Sequence, residues 1–247
     1  MKKFCQEWLD TLVVAISVAM AFRAYFFQPF NIPTGSMQET LWGNHTVEGM
    51  EAGTWDAFPL SVLKWLWTGE TVEDFKAETS GVARVAPRND GNANIYVGAS
   101  RRAITLPADA AQGLAGKFFN KGESVWKGAI RKGDFIFVNR WRWNFFKPQA
   151  GEVAVFSTTG IPQLQQGTHY IKRIKATPGQ TYVLEHPVAN RPDLPTVATM
   201  GEDEYFACGD NFNNSFDSRY WGAVPGTKLR GTGSVVFWPF NGWRKIK

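Results

Sequence analysis

The sequence predicts a mainly β fold: one N-terminal transmembrane helix, an antiparallel β domain, and an α+β subdomain inserted into that domain. Three observations carry this. An apolar segment, residues 9–27, opens the chain. From about residue 133 onward, short runs rich in β-branched and aromatic residues alternate with Gly, Pro and Asn clusters. Residues 42–132 have a different texture, in which longer apolar stretches mix with turn signals. The expected division is 1–28 for the cytoplasmic tip and anchor, 29–41 with 133–247 for the β domain, and 42–132 for the insert.

The anchor needs an argument. Met1-Lys2-Lys3 followed by an uncharged run at 11–22 has the form of a signal peptide, and Ala19-Met20-Ala21 has the form of its cleavage site. Against that, Glu7 and Asp10 offset the basic start, and apolarity continues past Arg23 to Phe27. The uncharged run alone falls short of the roughly 20 residues a bilayer requires. Residues 9–27 reach that length if Asp10 and Arg23 near the two ends keep their charges at the interface. An uncleaved anchor is therefore expected, with Lys2 and Lys3 holding the N-terminus inside and everything after Gln28 outside.

Within the β domain, strands are expected at 135–138, 153–156, 170–174, 181–184, 205–208 and 234–238. Within the insert, 59–75 and 108–119 read as helices. Asp90-Gly91 reads as a turn, and 95–97 with 103–106 as a strand pair. Composition is that of a folded chain with a sizeable core, at 44% hydrophobic and 20% charged. A formal charge of +5 without any nucleic-acid motif suits an anionic lipid bilayer better than DNA or RNA. Eleven tryptophans fit a membrane interface. Cys5 and Cys208, far apart, make no disulfide framework and read as two free thiols. No cofactor and no metal site is expected.

Ser36 follows the anchor closely, in Gln28-Pro29-Phe30-Asn31-Ile32-Pro33-Thr34-Gly35-Ser36. Thr-Gly-Ser is also ordinary turn chemistry. As a nucleophile Ser36 would need a base. His45, His169 and His186 come without a surrounding motif. Lys172 lies inside the apolar strand Tyr170-Ile171-Lys172-Arg173-Ile174, where burial would lower the amine pKa; a lysine on a solvated strand face is the alternative. Strand alternation puts Lys172 with Tyr170 on one face and Arg173 with His169 on the other. A third segment, 209–222, gathers Asp210, Ser215, Asp217 and Arg219 among turn formers. Asx turns and an Asp–Arg pair would explain it as structure alone, and a loop positioning a lysine amine would explain it as chemistry.

Taken together these segments resemble the bacterial type I signal peptidases, membrane-anchored Ser/Lys endopeptidases that remove signal peptides from exported proteins. The resemblance rests on Phe30 to Met37, on Lys132-Gly133-Asp134 and Gly151-Glu152 with the strands after them, on 170–174 with Pro178-Gly179, and on the Gly209-Asp210-Asn211…Asn214-Ser215…Asp217-Ser218-Arg219…Trp221-Gly222 segment. It implies Ser36 as nucleophile and Lys172 as general base, with the Ser36 N–H and the Thr34 hydroxyl as oxyanion hole. It implies that Ser215 hydrogen-bonds the lysine amine, that Asp210, Asp217 and Arg219 support the loop, and that Phe30, Ile32, Met37 and Ile171 line shallow pockets for small side chains. Signal peptides of exported precursors and the lipid bilayer are the implied partners. Glu39 stands where the family usually has proline. Phe212-Asn213 replaces the family's Arg-Asp and removes one ion-pair partner of Asp210. The insert lies away from where better-known relatives carry theirs. The aromatic and basic clusters at 141–147 and 237–245 read either as core with surface charge or as a sheet edge dipping into the interface. Two other functions fit parts of the pattern: a self-cleaving Ser/Lys repressor-type protease, and an inactive membrane-tethered assembly protein of the same fold.

Overall fold

The computed structural model describes residues 2–88, 90–184, 194 and 196–247, with the side chains of residues 2–5 left aside. Helix α1 (Lys2–Tyr25) contains a 20-residue stretch, Gln6–Tyr25, of mean hydropathy 1.4 with none of it buried by the rest of the protein. That is long and apolar enough to cross a bilayer. The helix stops short of the expected Phe27, because Pro29 biases Gln28 to extended backbone and Phe27 already opens strand β1 (Phe27–Asn31).

The chain then enters the insert: β2 (His45–Glu48), α2 (Leu60–Thr68), β3 (Glu70–Lys76), β4 (Gly81–Pro87), β5 (Asn92–Val97), β6 (Ile104–Pro107), α3 (Ala108–Gln112), β7 (Phe118–Phe119) and β8 (Ser124–Arg131). These form two small antiparallel sheets, β2-β8-β3 and β6-β5-β4-β7. Ile95, Leu106, Phe119 and Trp126 lie in a core of their own. Both helices expected in the insert are shorter than their apolar stretches. Gly69, at φ +66°, terminates α2 with its amide on the Trp65 carbonyl, and the alternating run after it pairs along β8. Gly113 and Gly116 follow α3, and Phe118-Phe119 pairs with Gly81-Val82. The turn at Asp90-Gly91 is present, and the two expected strands do pair, but through residues 92–95 against 104–107 with Ile95 opposite Ile104, while Tyr96 and Val97 pair with β4 instead.

The rest is β9 (Phe135–Asn139), α4 (Arg142–Phe145), β10 (Val153–Ser157), β11 (His169–Ala176), the hairpin β12 (Thr181–Val183) and β13 (Val197–Thr199), β14 (Glu204–Cys208), α5 (Ser218–Trp221), β15 (Val224–Pro225), β16 (Leu229–Trp238) and β17 (Arg244–Lys245). With β1, all of these strands but the separate β12–β13 hairpin build one antiparallel sheet, ordered β1-β9-β16-β10-β11-β14-β15, with β17 against β16. All six expected strands of this region are present. Strand β10 is buried along its whole length. Ile32, Met37, Leu41, Ile136, Val138, Val153, Val155 and Val236 make one apolar cluster, and Phe156, Ile161, Leu164, Ala207, Trp221 and Val224 another. The first cluster is built from both sides of the insert in sequence, so the segment after β1 is clamped onto strands more than 90 residues downstream.

Candidate active site

Ser36 sits in a single 3-10 turn, Gly35–Met37, that follows β1. Backbone hydrogen bonds, apolar packing and the 209–222 loop hold this turn. The Ile32 amide donates to the Asp134 carbonyl at 2.9 Å, and the Asn44 amide to the Pro33 carbonyl at 3.2 Å. Met37 and Leu41 plant fully buried side chains in the apolar cluster. From the far end of the chain, the Asn211 amide donates to the Ser36 carbonyl at 3.1 Å and its side-chain amide to the Gly35 carbonyl at 3.1 Å.

Lys172 comes from β11, which pairs with β10 and β14. Its side chain is 4% exposed, and Nζ lies 2.6 Å from Ser36 Oγ. Burial pushes the amine down from the ordinary 10.5 to about 8, against the opposing pull of Asp217 and Cys208. The alternation expected for this strand is present: Nζ is 5.9 Å from the Tyr170 ring centroid, and Ile171 points instead into the apolar cluster under Ser36. A buried amine near neutral pKa, touching a hydroxyl, can take that hydroxyl's proton. Among the described residues no histidine bonds Ser36. His45 has Nδ1 on the Gly43 carbonyl, and the His169 ring packs edge-on against Phe30. His186 lies outside the described residues. Cys208 is a free, buried thiol, pushed up to about 12 by burial and by Asp217; the Cys5 side chain is not described.

The 209–222 loop is organised by Asp217. Its carboxylate accepts from the Gly209 amide at 2.9 Å and from Arg219 Nε and Nη2 at 2.7 and 2.8 Å. Both side chains are at most 1% exposed. Arg219 also donates to the Phe212 carbonyl, and its guanidinium lies 3.9 Å from the centroid of the Phe212 ring. The Phe212 departure thus puts an aromatic face on the arginine, an attractive contact when desolvated. Asp210, the carboxylate left short of a partner by that departure, is held bidentately by Arg173 at 2.8 and 2.7 Å, with Arg173 also on Thr40 Oγ1. Burial alone would raise the Asp210 carboxyl; the Arg173 and Thr40 bonds outweigh it and hold it below the usual range. Arg173 was not among the residues expected at the site. The signal was in the sequence, since alternation sends it to the face opposite Lys172, where a stranded carboxylate needs a cation.

Two expectations are corrected. The Ser215 hydroxyl makes no hydrogen bond to the Lys172 amine. It is buried without a partner among the described residues and packs on Gly209, while the amine is taken by Ser36. Ile32 and Met37 do not line an open pocket: at 2% and 0% exposure they are core beneath the site, because β9 and β10 pack over them. Phe30 and Ile171, from the same cluster, are only partly buried and reach the surface. Thr34 is exposed, in extended backbone just before the turn, with no side-chain hydrogen bond capping it. Gly209 has no room for a side chain, as a Cβ there would overlap the Ser36 carbonyl oxygen and Ser215. Gly209→Ala should therefore displace Ser36 from Lys172. A crystal structure of the variant measures the distance from Ser36 Oγ to Lys172 Nζ; an unchanged distance would mean that the loop absorbs the methyl elsewhere.

A serine and a buried lysine in contact beside an apolar cluster, on an antiparallel sheet preceded by a membrane-length helix, are the groups that the resemblance to type I signal peptidases implies. Comparison with known proteins agrees: the family model for signal peptidase, peptidase S26, matches residues 5–52, 108–188 and 183–238. The chain belongs to that family. It is 31% identical to signal peptidase I of Bacillus amyloliquefaciens over 242 residues, covering 98% of this chain and 92% of that one. It is 32% identical to probable signal peptidase I-1 of a Synechocystis strain over 138 residues, 47% of this chain and 68% of that one. With signal peptidase I of Leptolyngbya laminosa it shares 30% identity over 127 residues, 44% of this chain and 62% of that one. The family match passes over residues 53–107, most of the insert.

Proposed function

We propose that this protein is a serine endopeptidase that removes N-terminal signal peptides from exported precursors at the membrane surface, with Ser36 as nucleophile and Lys172 as general base. The observation that carries this reading is the 2.6 Å contact between Ser36 Oγ and an amine that burial holds near pKa 8. Ser36 Oγ attacks the scissile carbonyl carbon as its proton passes to Lys172 Nζ. The oxyanion that forms is stabilised by the Ser36 N–H, which the 3-10 turn holds in place, and by the hydroxyl of Thr34, which flanks that turn. The lysine ammonium returns the proton to the departing amine, leaving an acyl ester on Ser36. Lys172, neutral again, takes a proton from a water that attacks the ester, and the ammonium then returns that proton to the departing Ser36 Oγ as the carboxylic acid product leaves. Asp217 with Arg219, and Asp210 with Arg173, keep the two loops in register. Helix α1 anchors the chain with its N-terminus in the cytoplasm and the site outside, and Phe30 and Ile171 meet the small side chains before the cut.

The test is cleavage of an exported precursor bearing Ala-X-Ala before its cut site, by the purified full chain in detergent. Wild type is expected to cut it and a folded Ser36→Ala variant is not. Cleavage by Ser36→Ala would sink the nucleophile assignment. A folded wild type that cuts no precursor would favour an assembly role.

The pH profile follows from the same amine. The neutral form is the base, so activity falls as pH drops through the folded pKa. The acid limb of kcat/KM should lie near about 8, well below the 10.5 of an ordinary lysine. A profile flat across that value would exclude Lys172 as the base.

A further inference from the structure

Helix α2 of the insert is apolar nearly all round, Leu-Ser-Val-Leu-Lys-Trp-Leu-Trp-Thr, yet none of its residues is buried. Leu63 is 58% exposed and Trp67 60%, and Phe58 just before the helix reaches 86%. A patch of this kind is unusual on a soluble surface and marks a contact with something apolar. Its one cation, Lys64, is neutralised by Asp56 at 2.6 Å and Glu70 at 2.9 Å, so the patch carries little net charge of its own. Beside it Trp55, Trp67, Leu63 and Phe240 line an open groove of about 840 Å³.

What lies against this patch is indicated by its continuity with the membrane helix. Phe22 near the end of α1 is 5.9 Å from Phe27, ring to ring, and Phe27 is 6.4 Å from Phe137. Phe137 stacks on Phe237 at 4.2 Å, and Phe237 is 6.2 Å from Phe135. Phe135 meets Trp238 at 5.1 Å, and Trp238 meets Trp65 of α2 at 5.0 Å while its indole N–H donates to the Leu66 carbonyl. An unbroken aromatic path across β1, β9 and β16 thus links the membrane-length helix to the insert helix. Partly exposed tryptophan and phenylalanine side chains such as Trp55, Trp65, Trp67 and Phe240 are the residues that settle at the boundary of acyl chains and headgroups.

We propose that α2 and the aromatic residues around it form a second membrane contact, lying in the interface of the bilayer that α1 crosses, so that the insert fixes the tilt of the catalytic sheet against the lipid. This rests on the membrane anchoring proposed above, and extends it to a segment that the family match passes over.

Collision accessibility of spin labels tests it on the full chain in phosphatidylcholine–phosphatidylglycerol vesicles, in a Cys5→Ser background with the buried Cys208 retained. Labels go on Leu63→Cys and, separately, on Trp67→Cys, so that one poorly folded variant does not decide the outcome. Val14→Cys within α1 and Lys121→Cys in an exposed turn are the references. At both α2 sites, oxygen collisions are expected to rise and collisions with a water-soluble nickel chelate to fall severalfold relative to position 121. Nickel access equal to that at position 121, with Val14→Cys shielded, overturns this proposal and leaves the anchor standing. An unshielded Val14→Cys overturns the anchor, and this proposal with it. Shielding at α2 that appears only with added precursor, or only with concentrated protein in detergent, would assign the patch to substrate or to a second copy and would also overturn it.

Discussion

Replacing Lys172 by methionine is expected to abolish precursor cleavage and at the same time to make the folded protein more stable. The two effects share one cause. Removing a general base costs about 100- to 10,000-fold in rate, and methionine keeps the length and apolar stem of lysine without a proton acceptor. The same amine is buried at 4% exposure with its pKa lowered from 10.5 to about 8. A lysine whose folded pKa is lowered binds its proton less tightly than the unfolded chain does. Stability therefore rises with pH between about 8 and 10.5, and below about 8 the whole penalty is present. That penalty is about 3 kcal/mol at neutral pH, and Lys172→Met should remove most of it. Denaturant midpoints in detergent at neutral and alkaline pH, alongside single-turnover assays, measure both. The stabilising effect should shrink as pH approaches 10.5. A destabilised but active variant would contradict both halves.

Arg219→Ala should be the most damaging substitution for the fold among the site residues. It strands the Asp217 carboxylate at 0% exposure with, among the described residues, only the Gly209 amide and a long contact from the residue 219 amide as donors. Leaving one member of a buried pair uncompensated costs about 3–5 kcal/mol, a large share of the 5–15 kcal/mol typical of a whole protein. The double variant Asp217→Asn with Arg219→Met should recover much of that loss, because the two sites are coupled. There is a second readout besides stability. Arg219 lowers the Lys172 pKa and Asp217 raises it. In whatever fraction of Arg219→Ala stays folded, the acid limb of the activity profile should move to higher pH. Equal midpoints for the single and double variants would show that the pair is not coupled in this way.

Much of the catalytic sheet was legible because its signals are local. Runs such as Phe135-Ile136-Phe137-Val138 and Val153-Ala154-Val155-Phe156 show β propensity and burial within five residues, and they are strands. The same local logic overextended α2 and α3. Apolar spacing suits a helix up to Thr68 and beyond, but Gly69 in the left-handed region and the pairing of Glu70–Lys76 with β8 stop it. Such pairing is a contact with residues about 50 to 60 positions away, which no window of the sequence contains.

At the site the division is similar. The sequence marks Ser36 and Lys172 singly, one by its punctuated segment and one by an apolar strand, and strand alternation puts Tyr170 on the face where its ring lies 5.9 Å from Lys172 Nζ. Arg173 was visible but read only as pointing elsewhere. Its grip on Asp210 depends on the loop 37 residues later folding back over β11. The contact of Ser215 with the amine is what the resemblance to type I signal peptidases implies. The structure gives the amine to Ser36 and leaves the serine hydroxyl against Gly209.

By itself the sequence determined the β class, the membrane-length helix, the two chemical groups and the loop that accompanies them, because residue type and spacing set local backbone preference and burial. Only the tertiary structure decided that Ser36 and Lys172, 136 residues apart, meet at 2.6 Å. The reason is physical: that distance is fixed by the apolar cluster that clamps Met37 and Leu41 onto β9 and β10, and by Asn211 reaching back to the Ser36 carbonyl. Packing and long-range hydrogen bonds of this kind exist only once the chain has closed on itself.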